Sequence, residues 1–210
     1  MNLLVIGATG GTGRAIVEQA LSQGHNVTAF VRNPAKMRIK QDRLTVVQGN
    51  VLNYESVAAA AQGKDAVLSA LGHKRWFIKT SILSEGTKNI ITAMQKHGVR
   101  RLVCETSLGV GDSRGKLGLY YTLFVIPFIV YFYFRDKEQQ ERYIRESALD
   151  WIIVRPGQLT NGRKRVTYRH GPEVGSRLLT VRISRGDVAD FMLRQVRDNS
   201  YLRKTPAVAY

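Results

Sequence analysis

The sequence predicts an α/β protein built on a doubly wound, parallel sheet with helices on both faces. Two observations lead there. Apolar runs of strand length alternate with helical patterns along the chain, and most runs are apolar on both faces, as a sheet covered on both sides requires. A glycine-rich turn also joins the first run to the first helix.

Taken in order, strands are expected over residues 2–7, 26–32, 44–49, 66–70, 101–106 and 151–155. Helices are expected over 11–23, 54–62, 81–97, 136–147 and 185–197. Gly24, Gly63 and Gly98 stand just past the first three helices, where a left-handed terminating residue is wanted. Strands alternating with helices of these lengths mean parallel pairing through crossovers. No internal repeat, low-complexity stretch or linker interrupts the pattern, so residues 1–210 read as a single domain.

Composition narrows the function. The single cysteine, Cys104, allows neither a disulfide framework nor a cysteine metal cluster, and points to a reducing cytoplasm. It falls in an expected buried strand and reads as packing. Met1 runs directly into the first strand with no basic leader, so the start reads as a strand and not a signal peptide. The formal charge is +16, with 13 basic and 5 acidic groups in residues 1–100 and 12 against 5 in residues 150–210. Such a field attracts anions in general, phosphates and carboxylates included. No zinc spacing or RNA-binding signature accompanies it, so no specific nucleic acid is expected. His25, His73, His97 and His170 have no triad or metal spacing.

The loop Gly7-Ala8-Thr9-Gly10-Gly11-Thr12-Gly13 follows the first strand and opens the first helix. In that context Gly7 permits the tight turn, Gly10 lets backbone approach a pyrophosphate, and Gly13 lets helix and strand pack closely. The helix start offers free N–H groups to phosphates. This is the dinucleotide site of a Rossmann fold. The second strand ends in Arg32, where an NAD site usually carries an acid. An arginine there suits a 2′-phosphate, with Lys36 and Arg38 nearby, so NADP(H) is the expected cofactor.

The loop, Arg32, Gly49-Asn50-Val51, Ser69-Ala70-Leu71-Gly72, the segment 84–90, Thr106-Ser107, the segment 145–151 and the late 183–193 together resemble the atypical short-chain dehydrogenase/reductases. The likeness covers almost the whole chain, is greatest to the biliverdin and NADPH-dependent flavin reductases, and is stronger in the cofactor half. The resemblance implies that Thr9, Gly10, Thr12 and Gly13, with Gly7 and Gly11, hold the pyrophosphate. It places Arg32 on the 2′-phosphate and Asn50 and Val51 along the adenine. Ala70, Leu71 and Gly72 would follow the fourth strand beneath the nicotinamide ribose, with Thr106, Ser107 and Pro156 on the same edge. It implies an NADPH-dependent reductase of a flavin or a linear tetrapyrrole, monomeric or homodimeric. The group also contains cofactor-sensing regulators and assembly factors that turn nothing over, and this is the alternative.

Ser107 is the leading catalytic candidate, because a strand-end hydroxyl can bond the nicotinamide amide or the acceptor. A serine satisfying nearby backbone is the competing reading. Tyr133 and Lys137 form Tyr-x-x-x-Lys, which on a helix shares one face and lets an ammonium lower a phenol pKa. The reductases resembled do not rely on that pair, so it ranks below Ser107. Gln158 borders the implied substrate position, where some relatives carry histidine.

Residues 117–134 hold eight of the eighteen aromatics and no charge. Core or dimer packing is the first reading, a wall or lid over a planar ligand the second, and contact with a membrane surface the third. Pro127 and the need to keep the sheet intact argue against a membrane span.

Overall fold

The computed structural model describes residues 1–73 and 77–210. All six expected strands form: β1 Asn2–Ile6, β2 Asn26–Val31, β3 Leu44–Gln48, β4 Ala66–Ser69, β5 Arg101–Glu105 and β6 Asp150–Pro156. They lie parallel in the order β3-β2-β1-β4-β5-β6. The order reverses between β1 and β4, which opens the crevice where such sheets take ligands.

Period-two alternation explains the two cores. On β1, Leu3 and Val5 face one side with Ile16 and Val17 of helix α1 (Gly11–Ser22), while Leu4 and Ile6 face the other. That second side is covered by α2 (Tyr54–Ala61) and α3 (Ile82–Lys96), through Val57, Ile90 and Met94. The central strands β1 and β4 are buried on both faces and carry no polar face, whereas edge strand β3 leaves Thr45 and Gln48 exposed.

Four short strands follow β6: β7 Gln158–Thr160, β8 Arg169–Gly171, β9 Arg182–Ser184 and β10 Ala207–Ala209. None was expected, because three residues are too few to show a period. β10 adds to β6 in parallel, β8 closes the edge antiparallel to β10, and β7 pairs with β9 apart from the main sheet.

A π-helical turn over Tyr121–Val125 leads into α4 (Ile126–Phe128) and then α5 (Tyr131–Glu146). The last begins five residues earlier than the sequence pattern indicates, because its aromatic first turn hides the polar periodicity that starts at Arg135. The expectation that 117–134 is core fails for most of the stretch. Leu117 and Phe134 are buried, and Tyr121, Ile126, Val130 and Tyr133 pack partly against Leu108 and Val110. Leu119, Tyr120, Leu123, Phe124 and Phe128 are exposed.

Helix α6 (Arg185–Arg194) packs on α1 and is capped by Ser184, whose Oγ accepts from the Asp187 N–H at 3.0 Å. The buried Asp187 carboxylate also accepts from Tyr210 Oη (2.6 Å), Ser184 Oγ (2.7 Å) and the N–H groups of Arg165 and Val166. Burial pushes its pKa up, but the hydrogen bonds from Tyr210, Ser184 and the backbone outweigh burial and hold it below the usual value. A depressed folded-state pKa stabilises above the unfolded value and is lost as pH falls through the folded one. Asp187→Asn is therefore expected to lose about 1.5–3 kcal/mol at neutrality, with a smaller deficit once pH falls below about 3.9. Thermal melts of both proteins across that range measure it; a pH-independent deficit would contradict the assignment.

Candidate functional site

The loop between β1 and α1 has the shape that its glycines require. Gly7 has φ +75°, and a Cβ there would collide with the Ala70 carbonyl. A Cβ at Gly13 would collide with the Gly7 backbone, so helix and strand approach as closely as backbone allows. The Gly10 N–H donates to the Gly7 carbonyl at 2.9 Å. No side chain caps α1 at Gly10, and no acidic residue stands in its first turn. Its leading N–H groups and partial positive charge are thus left for an anion.

Arg32 follows directly on β2, exposed and with no ion pair among the described residues, and Lys36 and Arg38 are exposed beyond it. Asn33 Oδ1 caps the short turn after it by accepting from the Ala35 N–H at 3.0 Å. Asn50 is exposed, with Oδ1 accepting from the Leu52 N–H at 3.1 Å, whereas Val51 is buried against Gly86. Ala70, Leu71 and Gly72 leave the end of β4, with the Ala70 N–H bonded to the Ile6 carbonyl at 3.0 Å.

At the end of β5 the side chains divide. Thr106 donates to Glu141 Oε1 at 2.7 Å and is buried in that contact. Ser107 is half-buried and donates to the Leu108 carbonyl at 3.0 Å, which leaves its oxygen able to accept. Pro156 ends β6 in the interior, and its carbonyl accepts from the Leu108 N–H. Gln158 accepts from Arg182 Nε at 2.9 Å.

Helix α5 brings Tyr133 and Lys137 to this edge. The Tyr133 hydroxyl lies 3.5 Å from where a Gly72 Cβ would stand, and its ring meets His73 edge-on at 4.9 Å. Lys137 is buried, with Nζ 5.2 Å from the centre of the Tyr133 ring. The helix is anchored at its start by Asp136, which accepts from the Leu83 and Ser84 N–H groups at the N-terminus of α3. It is anchored further along by Glu141, paired with buried Arg155 at 2.5 Å.

Three contributors were not found from sequence. Glu105 is buried at the end of β5 and accepts from Thr12 Oγ1 at 3.1 Å, tying the glycine loop to the sheet. Burial pushes its pKa up, while Lys137, Thr12 and Arg185 pull it down. Arg185 lies across the start of α1, so that a Cβ at Gly11 would strike its side chain, and its Nη1 bonds Asn161 at 2.7 Å. The third contributor is the Glu141–Arg155 pair. Acids and bases scattered over 80 residues carry no spacing signal, so only the fold could assemble these groups. Cys104 is buried and its thiol is pushed up to about 12 by burial, which removes it as a nucleophile. The described residues hold no cluster of metal-ligating side chains.

A family model described as NAD(P)H-binding matches residues 7–199. The chain belongs to this NAD(P)H-binding family. The match begins at Gly7, the turn glycine of the loop, and runs past α6, so it takes in every group described above. Among curated proteins, the chain is 36% identical over 172 residues to an uncharacterised chloroplastic protein of Arabidopsis thaliana, covering 76% of this chain and 59% of that one. It is 28% identical over 214 residues to the photosystem II assembly factor Ycf39 of Synechocystis, covering 98% of this chain and 61% of the other. The chain thus spans about three fifths of the length of these two relatives. Among solved structures, the fold matches the Lactococcus lactis oxidoreductase ylbE with TM-score 0.84 at 19% identity, covering 100% and 90% of the two chains. It matches ChuY of Escherichia coli O157:H7 with TM-score 0.82 at 23% identity, covering 100% and 97%.

The residues fit the nicotinamide dinucleotide that the family binds. The uncapped helix start faces a turn stripped of side chains, and cations border it on two sides, Arg185 across α1 and Arg32 at the end of β2.

Proposed function

We propose that the chain is an NADPH-dependent reductase that passes hydride to a planar conjugated acceptor, a flavin such as FMN or a linear tetrapyrrole such as biliverdin. The observation that carries this reading is the edge formed by Gly72, Tyr133 and Lys137: a flat ring beside a buried cation, next to the glycine loop. A planar anionic acceptor suits an aromatic wall and a positive rim. Reductases also recur among the relatives. The divinyl chlorophyllide a 8-vinyl-reductase of Arabidopsis thaliana is 32% identical over 125 residues, 52% of this chain. ChuY, of the same fold, is described as an anaerobilin reductase.

In this reading Gly7, Thr9, Gly10, Gly11, Thr12 and Gly13 cradle the pyrophosphate, with Arg185 closing over it. Arg32 holds the 2′-phosphate and confers the preference for NADPH. Asn50 and the Val51 backbone border the adenine, and Ala70, Leu71, Gly72, Thr106 and Pro156 shape the floor under the nicotinamide ribose. Lys137 donates to that ribose. The hydride is supplied by bound NADPH. Ser107 orients the amide or the acceptor by accepting a hydrogen bond, while Tyr133 supplies a ring surface. Solvent protonates the delocalised anion, so no side chain need act as acid.

Single-turnover NADPH oxidation with FMN tests these roles. Ser107→Ala is expected to slow turnover about tenfold, one hydrogen bond's worth, with NADPH affinity nearly unchanged. Tyr133→Phe is expected to change the rate by less than about threefold, since the ring remains. A loss of about a thousandfold in Tyr133→Phe, the size of a positioned acid, would transfer the chemistry to the Tyr-x-x-x-Lys pair and to carbonyl substrates. FMN is also expected to inhibit biliverdin reduction competitively, and the purified protein to hold no stoichiometric flavin.

A second reading is favoured by one observation, the similarity to Ycf39 over 98% of this chain. Here the protein binds NADPH as a signal and serves as an assembly factor. It predicts tight NADPH binding with no acceptor-dependent oxidation.

A further inference from the structure

The segment from Gly118 to Phe132 is apolar on both sides. Inward, Tyr121, Ile126 and Val130 pack on the small cluster around Leu108 and Val110. Outward, Tyr120, Phe124, Phe128 and Phe132 recur every four residues, with Phe124 57% and Phe128 74% exposed. A helical stretch with no polar side is normally covered by protein or by lipid. Leu178 and Leu179, 76% and 74% exposed, adjoin it: the Leu119 N–H donates to the Leu178 carbonyl at 3.3 Å, and the Gly118 and Leu179 backbones touch.

The two segments that form this face carry charge of one sign, with carboxylates only beyond their ends, where Glu138 pairs with Arg114 and Arg135. Residues 113–135 and 174–186 contain no Asp or Glu. Lys116, Arg177 and Arg182 lie in these segments, and none of the three pairs with a carboxylate among the described residues.

We infer that this face docks the protein onto the surface of an anionic lipid bilayer, with the outward aromatic and leucine side chains at the headgroup boundary and the three cations on lipid phosphates. Large exposed apolar side chains flanked by cations without carboxylate partners are the pattern of an interfacial anchor. A second copy of the chain fits poorly, because pairing would set the same three cations together on molecules of charge +16 each. Crossing the bilayer is not available to this segment: no helix among the described residues is long and apolar enough.

Cosedimentation with vesicles tests the inference without reference to turnover. The protein is expected to bind vesicles of about half phosphatidylglycerol about a hundredfold more tightly than pure phosphatidylcholine, three cations at roughly fivefold each. High salt should weaken the binding. The double variant Phe124→Asp/Phe128→Asp is expected to lower vesicle affinity at least tenfold, and Arg177→Glu about tenfold. Melting temperature and NADPH affinity should hold in both, which shows that the fold is intact. Absence of binding to either vesicle would overturn the inference. So would equal binding of wild type and the double variant. A wild-type dimer that the double variant converts to monomer would assign the face to self-association instead, and also overturn it.

Discussion

Glu141→Gln is expected to destabilise the protein by about 3–5 kcal/mol, the cost of breaking a buried ion pair on one side. Glu141 and Arg155 are both buried, paired at 2.5 Å, and Glu141 also accepts from Thr106 at 2.7 Å. Neutralising the glutamate leaves a buried guanidinium held only by Asp112, whose own side chain is mostly exposed. The cost is that of a charge stripped of water with half its partners gone. At roughly 2–4 °C per kcal/mol for a chain of this size, the melting temperature should fall by about 6–20 °C. A double variant separates pairing from packing. Glu141→Leu/Arg155→Met removes both charges together and should lie closer to wild type than either single change. If the double variant loses the sum of the two single losses, the pair does not act as a unit.

Arg32→Ala is expected to weaken NADPH binding by about tenfold to a hundredfold, the 1.5–3 kcal/mol of a charge-assisted hydrogen bond to phosphate. NADH should be nearly unaffected, because it carries no 2′-phosphate. Arg32 stands exposed at the end of β2 with no carboxylate partner among the described residues, so its removal breaks no ion pair there. Titration by quenching of protein fluorescence measures both cofactors. Equal weakening of the two would reassign Arg32 to the fold.

The first half of the fold is legible in the sequence because each unit carries three concordant signals. Strands such as Leu3–Ile6 are apolar throughout, helices keep a 3.6-residue stripe, and Gly24, Gly63 and Gly98 stop them with φ of +84°, +68° and +70°. Beyond Pro156 only the helix α6 (Arg185–Arg194) keeps such a signal. β7 to β10 have three residues each, and their pairing is fixed by tertiary contacts such as Arg155 N–H to the Pro206 carbonyl at 2.9 Å. The aromatic stretch misleads for a different reason. Hydrophobicity forecasts burial only when a partner surface exists, and for Phe124 and Phe128 the described residues supply none.

The site shows the same division. The glycine loop is legible because its spacing is a local constraint on backbone, and a side chain at Gly7 or Gly13 would meet backbone. Thr106 stands at the end of β5 as the sequence indicates, but that its hydroxyl donates to Glu141 in the interior is not legible there. Arg185 over Gly11 and Glu105 beneath Thr12 join residues 174 and 93 positions apart, and no periodicity reports such distances.

The most direct test of the account is single-turnover oxidation of NADPH, with protein in excess, in the presence of FMN, of biliverdin and of neither. The account predicts oxidation that requires an acceptor, proceeds with at least one of the two, and is much weaker with NADH at the same concentration. NADPH that binds tightly yet stays reduced with every acceptor would contradict it and leave the assembly-factor reading in its place.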